Sequence, residues 1–124
     1  MDAEKAADFR PLREDERRLL ERLLDDHPFE GRDQLREQLE WTTARPIAEY
    51  RDNYGSIELH VSDGPPSSGR RRVPVEGEYR DDDGIPVWLL LHVSREGFLR
   101  ELEIVRADGK PLISPPAPER LEVY

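Results

Sequence analysis

The chain has 124 residues, a length for one domain that buries roughly two thirds of its unfolded surface. Hydrophobic residues make up 35% and charged residues 38%, and 28 acids against 19 bases leave a net charge of −9, which opposes general affinity for nucleic acid or anionic membranes and favours a basic partner. Cysteine is absent, which excludes disulfides, zinc–thiolate centres and a cysteine nucleophile.

The N-terminal stretch MDAEKAADFR is charged from its second residue, and no apolar run approaches membrane-spanning length, so a cytoplasmic location is expected. Residues 1–8 carry no pattern and are expected to be disordered, ahead of a single domain over residues 9–124. Pro11 is suited to the first position of a helix, with Glu14, Asp15 and Glu16 near its positive end. Leu12, Leu19, Leu20, Leu23 and Leu24 recur at helical spacing and form one apolar stripe, which reads as core packing. His27-Pro28 ends this helix. A second, shorter helix is expected from Gly31 or Asp33 to about Trp41–Thr43, carrying Leu35 and Leu39, with Phe29 plugging the joint between the two.

From Ala44 the period changes. Residues 44–50 contain Pro46 and suit an edge strand, Asn53-Tyr54-Gly55 marks a turn, and Ile57, Leu59 and Val61 alternate with Glu58, His60 and Ser62 as a half-buried strand. Residues 63–72, DGPPSSGRRR, read as a mobile polar loop. Val73, Val75 and Tyr79 then alternate with Pro74, Glu76 and Glu78, and Asp81-Asp82-Asp83-Gly84 turns the chain into IPVWLLLHV, residues 85–93. This longest apolar run is expected to be the central strand. Ile85, Val87, Leu89, Leu91 and Val93 share one face; Pro86, Trp88, Leu90 and His92 share the other, which is itself half apolar. Phe98–Arg106 makes its partner strand, with Leu102 and Ile104 opposite in facing to Glu101 and Glu103; Asp108-Gly109 is a turn, and SPPAPE holds the tail extended before Leu121 and Val123. The expected fold is α+β: two N-terminal helices packed on one face of a four- or five-stranded, mostly antiparallel meander sheet.

The two strand histidines, His60 and His92, share a face with several glutamates and would meet a divalent metal if their strands were neighbours. Their spacing fits no metal motif, and neither metal nor cofactor is expected. Asp81–Asp83 lacks the twelve-residue loop and closing glutamate of an EF-hand. Gly55-Ser56 and Ser67-Ser68 build no nucleophile elbow, His27 has no triad partner, and no carboxylate pair is singled out, so no catalytic residue is assigned and no enzyme is expected. Arg70, Arg71 and Arg72 form the basic run, but no aromatics interleave, and these arginines are expected to offset nearby carboxylates. The stronger feature is Trp88 and Leu90, with Glu76, Glu78, Glu101 and Glu103 around them: an apolar centre with an acidic rim fits a binding patch. Equally open is that the tail, through Leu112, Ile113, Leu121 and Val123, folds across them.

FRPLREDERRLLERLL, GRDQLREQL, GSIELHV, RRRVPVEGEYRDDDGIPVWLLLHV and LRELEIVRADGKP together resemble a family of small bacterial proteins, frequent in actinobacteria and classed only as a domain of unknown function. The resemblance spans Phe9 to Tyr124 and is most specific in EGEYRDDDGIPVWLLLHV and LRELEI. It implies one folded domain and assigns no catalytic residue. Arg13 stands where similar chains often carry a threonine able to cap the first helix. The expected function is a non-enzymatic protein-binding module that takes a basic protein, or a second copy, on the sheet face. Its sharper version is an immunity protein neutralising a basic toxin through charge complementarity. The alternative is a small-molecule-binding protein or enzyme with a pocket between helices and sheet.

Overall fold

A computed structural model describes residues 8–47, 55–68 and 71–124. Helix α1 (Glu14–Asp25) turns Leu19, Leu20, Leu23 and Leu24 inward and keeps Glu14, Asp15 and Glu16 in its first turn. It begins beyond Pro11, not at it. Arg10 and Pro11 instead form a short strand, β1, at the sheet edge, where a proline without an N–H costs no ladder bond. Arg13 becomes the cap residue with extended backbone, and Glu16 supplies the polar group that an arginine cap lacks. The Glu16 carboxylate accepts the Arg13 N–H at 2.9 Å and both Arg10 guanidinium nitrogens at 2.8 Å, tying the strand to the helix. The helix stops ahead of His27-Pro28. Helix α2 (Arg32–Gln38) runs into a single 3-10 turn (Leu39–Trp41), and Phe29 packs, half-buried, against the core between the helices.

The strands that follow are β2 (Thr42–Pro46), β3 (Ile57–Val61), β4 (Arg72–Arg80), β5 (Pro86–Val93), β6 (Leu99–Arg106) and β7 (Glu122–Val123). The expected extension of the first of these through Tyr50, and Asn53 and Tyr54 of the following turn, lie outside the described residues. The sheet has seven strands in the order β1-β2-β3-β6-β5-β4-β7, every pair antiparallel. The expectation of four or five strands misses β1 and β7. Each has only two residues, too few to carry a period, yet each covers an edge of the larger sheet. The meander also breaks once: β3 pairs with β6, through Ile57↔Leu102 and Glu58↔Glu101, while β4 lies beyond β5. The long connection between β3 and β4 permits that crossing. As a result β6 is the middle strand, and β5 is interior beside it.

Val87, Leu89, Leu91 and Val93 of β5 join Leu99, Leu102 and Ile104 of β6 and the leucines of both helices in one core. This burial of one sheet face against the helices supplies the main drive to fold. Gln38, fully buried at the end of α2, organises the loops at one end. Its amide donates to the Pro65 carbonyl at 2.8 Å and the Gly97 carbonyl at 2.9 Å, and its oxygen accepts the Leu99 N–H at 2.9 Å. The Ser67 N–H also donates to Gly97 at 2.8 Å, so the loop expected to be mobile is anchored between residues 65 and 67. Gly97 has a φ of 96°, and a Cβ there would collide with the Ser67 backbone, so only glycine fits.

The aspartates after β4 do more than turn the chain. Asp81, with a wholly buried side chain, accepts hydrogen bonds from the Arg106 guanidinium at 2.8 Å and from the backbone N–H groups of Ile113 at 2.9 Å, Ser114 at 3.0 Å and Asp82 at 2.9 Å. Arg106, itself buried, also bonds Asp83 and Asp108. The tail is thereby fastened to the β4–β5 hairpin. From there it runs along the helix side. Leu112 packs on the core, Leu121 sits on the backbone of Gly77, and the Pro118 carbonyl accepts from Arg22 of α1 at 2.6 Å.

Two outcomes are expected. Leu89→Ala, which empties a fully buried site in β5, should cost about 2–5 kcal/mol of unfolding free energy, read from the shift in denaturant midpoint. For Asp81, burial pushes the carboxyl up, but its three N–H donors and Arg106 outweigh that and hold it at about 2, below its ordinary 3.8. A folded-state value lowered in this way adds stability that is complete above the ordinary value and is lost as pH falls towards about 2. Asp81→Asn should therefore lower stability at neutral pH by on the order of 3 kcal/mol and flatten the dependence of unfolding free energy on pH in that acid window.

Candidate functional site

Strand parity places the remaining side chains of the sheet on its second face. The six residues expected to form a binding patch all lie there. Trp88 and Leu90 project from β5; Glu78 and Glu76 stand directly across from them on β4, and Glu103 faces Leu90 from β6. The sixth, Glu101, pairs with His92 one step further along. The tail does not cover this face: Leu112, Leu121 and Val123 are engaged on the helix side, and Ile113 is exposed. Only its last residue reaches round. Tyr124 exchanges backbone hydrogen bonds with Glu76, and its hydroxyl donates to Glu78 at 2.9 Å. The Trp88 indole N–H donates to the same Glu78 oxygen at 3.1 Å, which fixes the ring and leaves it half-buried.

The neighbouring row of the sheet runs Arg72, His92, Glu101, Glu58 and Arg45 across β4, β5, β6, β3 and β2. His92 Nε2 lies 2.8 Å from a Glu103 oxygen, and Arg45 holds Glu58 at 2.9 Å. Glu101 is left the least compensated. Burial pushes its carboxyl up, and the like charges of Glu103 and Glu58 add to that against the opposing pull of His92 and Arg100.

His92, Glu101 and Glu103 bring one ligand atom each to within 4.8 Å of one another and are the group able to hold a divalent cation among the described residues. The histidine pair considered from sequence does not assemble. Strand β6 separates β3 from β5, and His60 instead stands against the ring of Phe9, with centroids 5.5 Å apart. Phe9 also lies beneath the Arg45 guanidinium, 4.5 Å from it. His27 contacts the Val123 carbonyl at 3.0 Å, a tie between the end of α1 and the tail.

A cavity of about 440 Å³ lies between the start of α1, β3, β6 and the tail. Leu19, Ile57, Leu102 and Ile104 give it apolar walls, and Arg10, Arg13, Asp15, Glu16 and Ser56 its polar ones. Three of those polar groups are already committed: Arg10 grips Glu16, and the Ser56 hydroxyl bonds both the N–H and the carbonyl of Ile104.

Sequence reading placed Glu58 on the open face but missed Arg45 and Tyr124 there. Parity would have found Tyr124 as it found Glu58. Glu58 alternates with buried Ile57 and Leu59, and Tyr124 alternates with inward Val123 and Leu121. No local signal marks Arg45, whose place depends on its pairing with Glu58.

No helix among the described residues is long and apolar enough to cross a membrane. No curated protein and no solved structure matches the chain. A family does match: residues 9–116 fit the family described as Domain of unknown function (DUF6984). That span contains the helices, the five long strands and nearly all of the open face, and the chain belongs to this family.

Proposed function

We propose that the chain is a non-enzymatic protein-binding module whose open sheet face receives a basic partner protein. The observation that carries this reading is the face itself: Trp88 and Leu90, half-buried and uncovered by the tail, with Glu76, Glu78, Glu101 and Glu103 ranged on both flanks. A partner's apolar group would gain buried area on the Trp88 ring, and its lysines or arginines would meet carboxylates and relieve the crowding at Glu101. A second copy is the poorer occupant. In a two-fold interface the same patch meets itself, and these four carboxylates would then face their own images. An immunity protein blocking a basic toxin is the sharper form of this reading, supported by the net charge of −9 as well as by the face.

The second reading, a small-molecule site, rests on the cavity beside α1. Its size suits a small ligand, but Arg10, Glu16 and Ser56 of its polar wall are spent on internal hydrogen bonds.

Titration with a decalysine peptide, followed by amide chemical shifts, tests the main reading. Shifts should concentrate on β4, β5 and β6 around Trp88. Trp88→Ala should weaken association by about tenfold or more and leave the melting temperature nearly unchanged. Charge reversal at Glu76 and Glu101 should slow association most at low salt, where screening is least. Unfolding by Trp88→Ala with no change in association would make the residue core and overturn the proposal, as would shifts confined to the helix side. Light scattering that reports a dimer abolished by Trp88→Ala would replace the basic partner by a second copy.

A further inference from the structure

At the end of the sheet where β5 turns into β6, the charge pattern reverses. A groove of about 390 Å³ is lined by Arg71, Arg72, Arg95 and Arg100, together with His92 and Glu96. Three adjacent strands and one turn supply these side chains, and the frame is held by backbone contacts. Arg72 pairs with His92, Val93 pairs with Leu99, and the Val93 N–H donates to the Arg71 carbonyl.

In an acidic chain most arginines find a carboxylate. Among the described residues Arg10, Arg17, Arg18, Arg22, Arg32, Arg36, Arg45, Arg72, Arg106 and Arg120 all form salt bridges. Arg71, Arg95 and Arg100 form none, although acids outnumber bases 28 to 19 in the chain. All three open onto this groove. Arg72, the fourth, is bound to Glu76 at 3.0 Å, and Glu96 is the one acid in the lining. The groove therefore gathers guanidinium groups whose mutual repulsion an added anion would relieve.

We infer that this groove is a binding site for a small phosphate-bearing molecule, adjoining the acidic sheet face. A single carboxylate accepts from one guanidinium fork. A phosphate ester presents several oxygens at tetrahedral angles and can accept from forks that approach from β4, from the turn and from β6 together. The volume exceeds that of one phosphate group and leaves room for the molecule that carries it. Nothing long-range assists the capture, since the net charge of −9 repels anions; the affinity arises locally from the bonds that the arginines make.

Chemical-shift and calorimetric titrations with pyrophosphate and with AMP test the inference. The expected result is saturable binding, with shifts at Arg71, Arg72 and the Ser94–Arg100 turn. Arg95→Ala combined with Arg100→Ala should weaken it about tenfold or more, since each charge-assisted bond contributes on that scale. Two variants serve as controls and should bind as wild type does: Arg80→Ala, which removes another arginine that forms no salt bridge, and Trp88→Ala, which alters only the sheet face. Melting curves for each variant separate loss of binding from loss of fold. Absence of saturation by either probe, or equal binding by the double variant with its fold intact, overturns the proposal. A response to a single-stranded oligonucleotide but to neither small probe overturns it as well, in favour of a macromolecular ligand.

Discussion

The buried cluster of Asp81 and Arg106 decides the route of the C-terminal tail, and much of the molecule's surface follows from that route. Asp81 captures two consecutive backbone N–H groups, of Ile113 and Ser114, while Arg106 holds its charge in place. A carboxylate buried with this many donors is stable; the same group without them would be costly. Because the tail is seized at this corner, Leu112 and Leu121 reach the core from the helix side, and β7 adds to the free edge of β4. The apolar residues that would otherwise fold over Trp88 are used elsewhere. An internal ion cluster thus keeps the tail off an external face.

That face combines features seldom left exposed together. Its centre is apolar and rigid, since Trp88 is anchored by Glu78, which Tyr124 anchors in turn. Around it the carboxylates are only partly compensated, and the crowding at Glu101 is the clearest sign of it. A surface of this kind is not explained by folding, which the helix-covered face accomplishes. Like-charge neighbours on adjacent strands weaken a sheet. The proposed basic partner would offset that repulsion.

The arginine groove shows why net charge is a poor guide to local chemistry. Acids dominate the composition, yet strand pairing brings three arginines without salt bridges, Arg71, Arg95 and Arg100, to the start of β4, the β5–β6 turn and the start of β6, which are neighbours in space. His92 stands at the boundary, bonded to Glu103 of the acidic face and lining the basic groove as well. The molecule thus presents opposite charges at two adjacent places on one sheet.

Much of this was legible in the amino-acid sequence. The leucine stripe of α1, the alternation in β3, β4 and β6, and the two-faced apolar run of β5 are local periodicities, and burial follows them residue by residue. So did the grouping of Trp88, Leu90 and their four glutamates, because parity alone assigns them to one face. The start of α1 was not legible, since it depends on Arg10 reaching Glu16 from a paired strand, and neither were the two-residue strands β1 and β7, which exist only through their partners. The pairing of β3 with β6 separated His60 from His92 and carried Glu58 to Glu101. DDDG read as a turn, but the burial of Asp81 needed Arg106 and the tail, which are distant in the chain. Period and parity are properties of neighbouring residues and can be read in order. Strand order, the covering of a face and the pairing of a buried charge depend on which remote segments meet, and only the folded chain decides that.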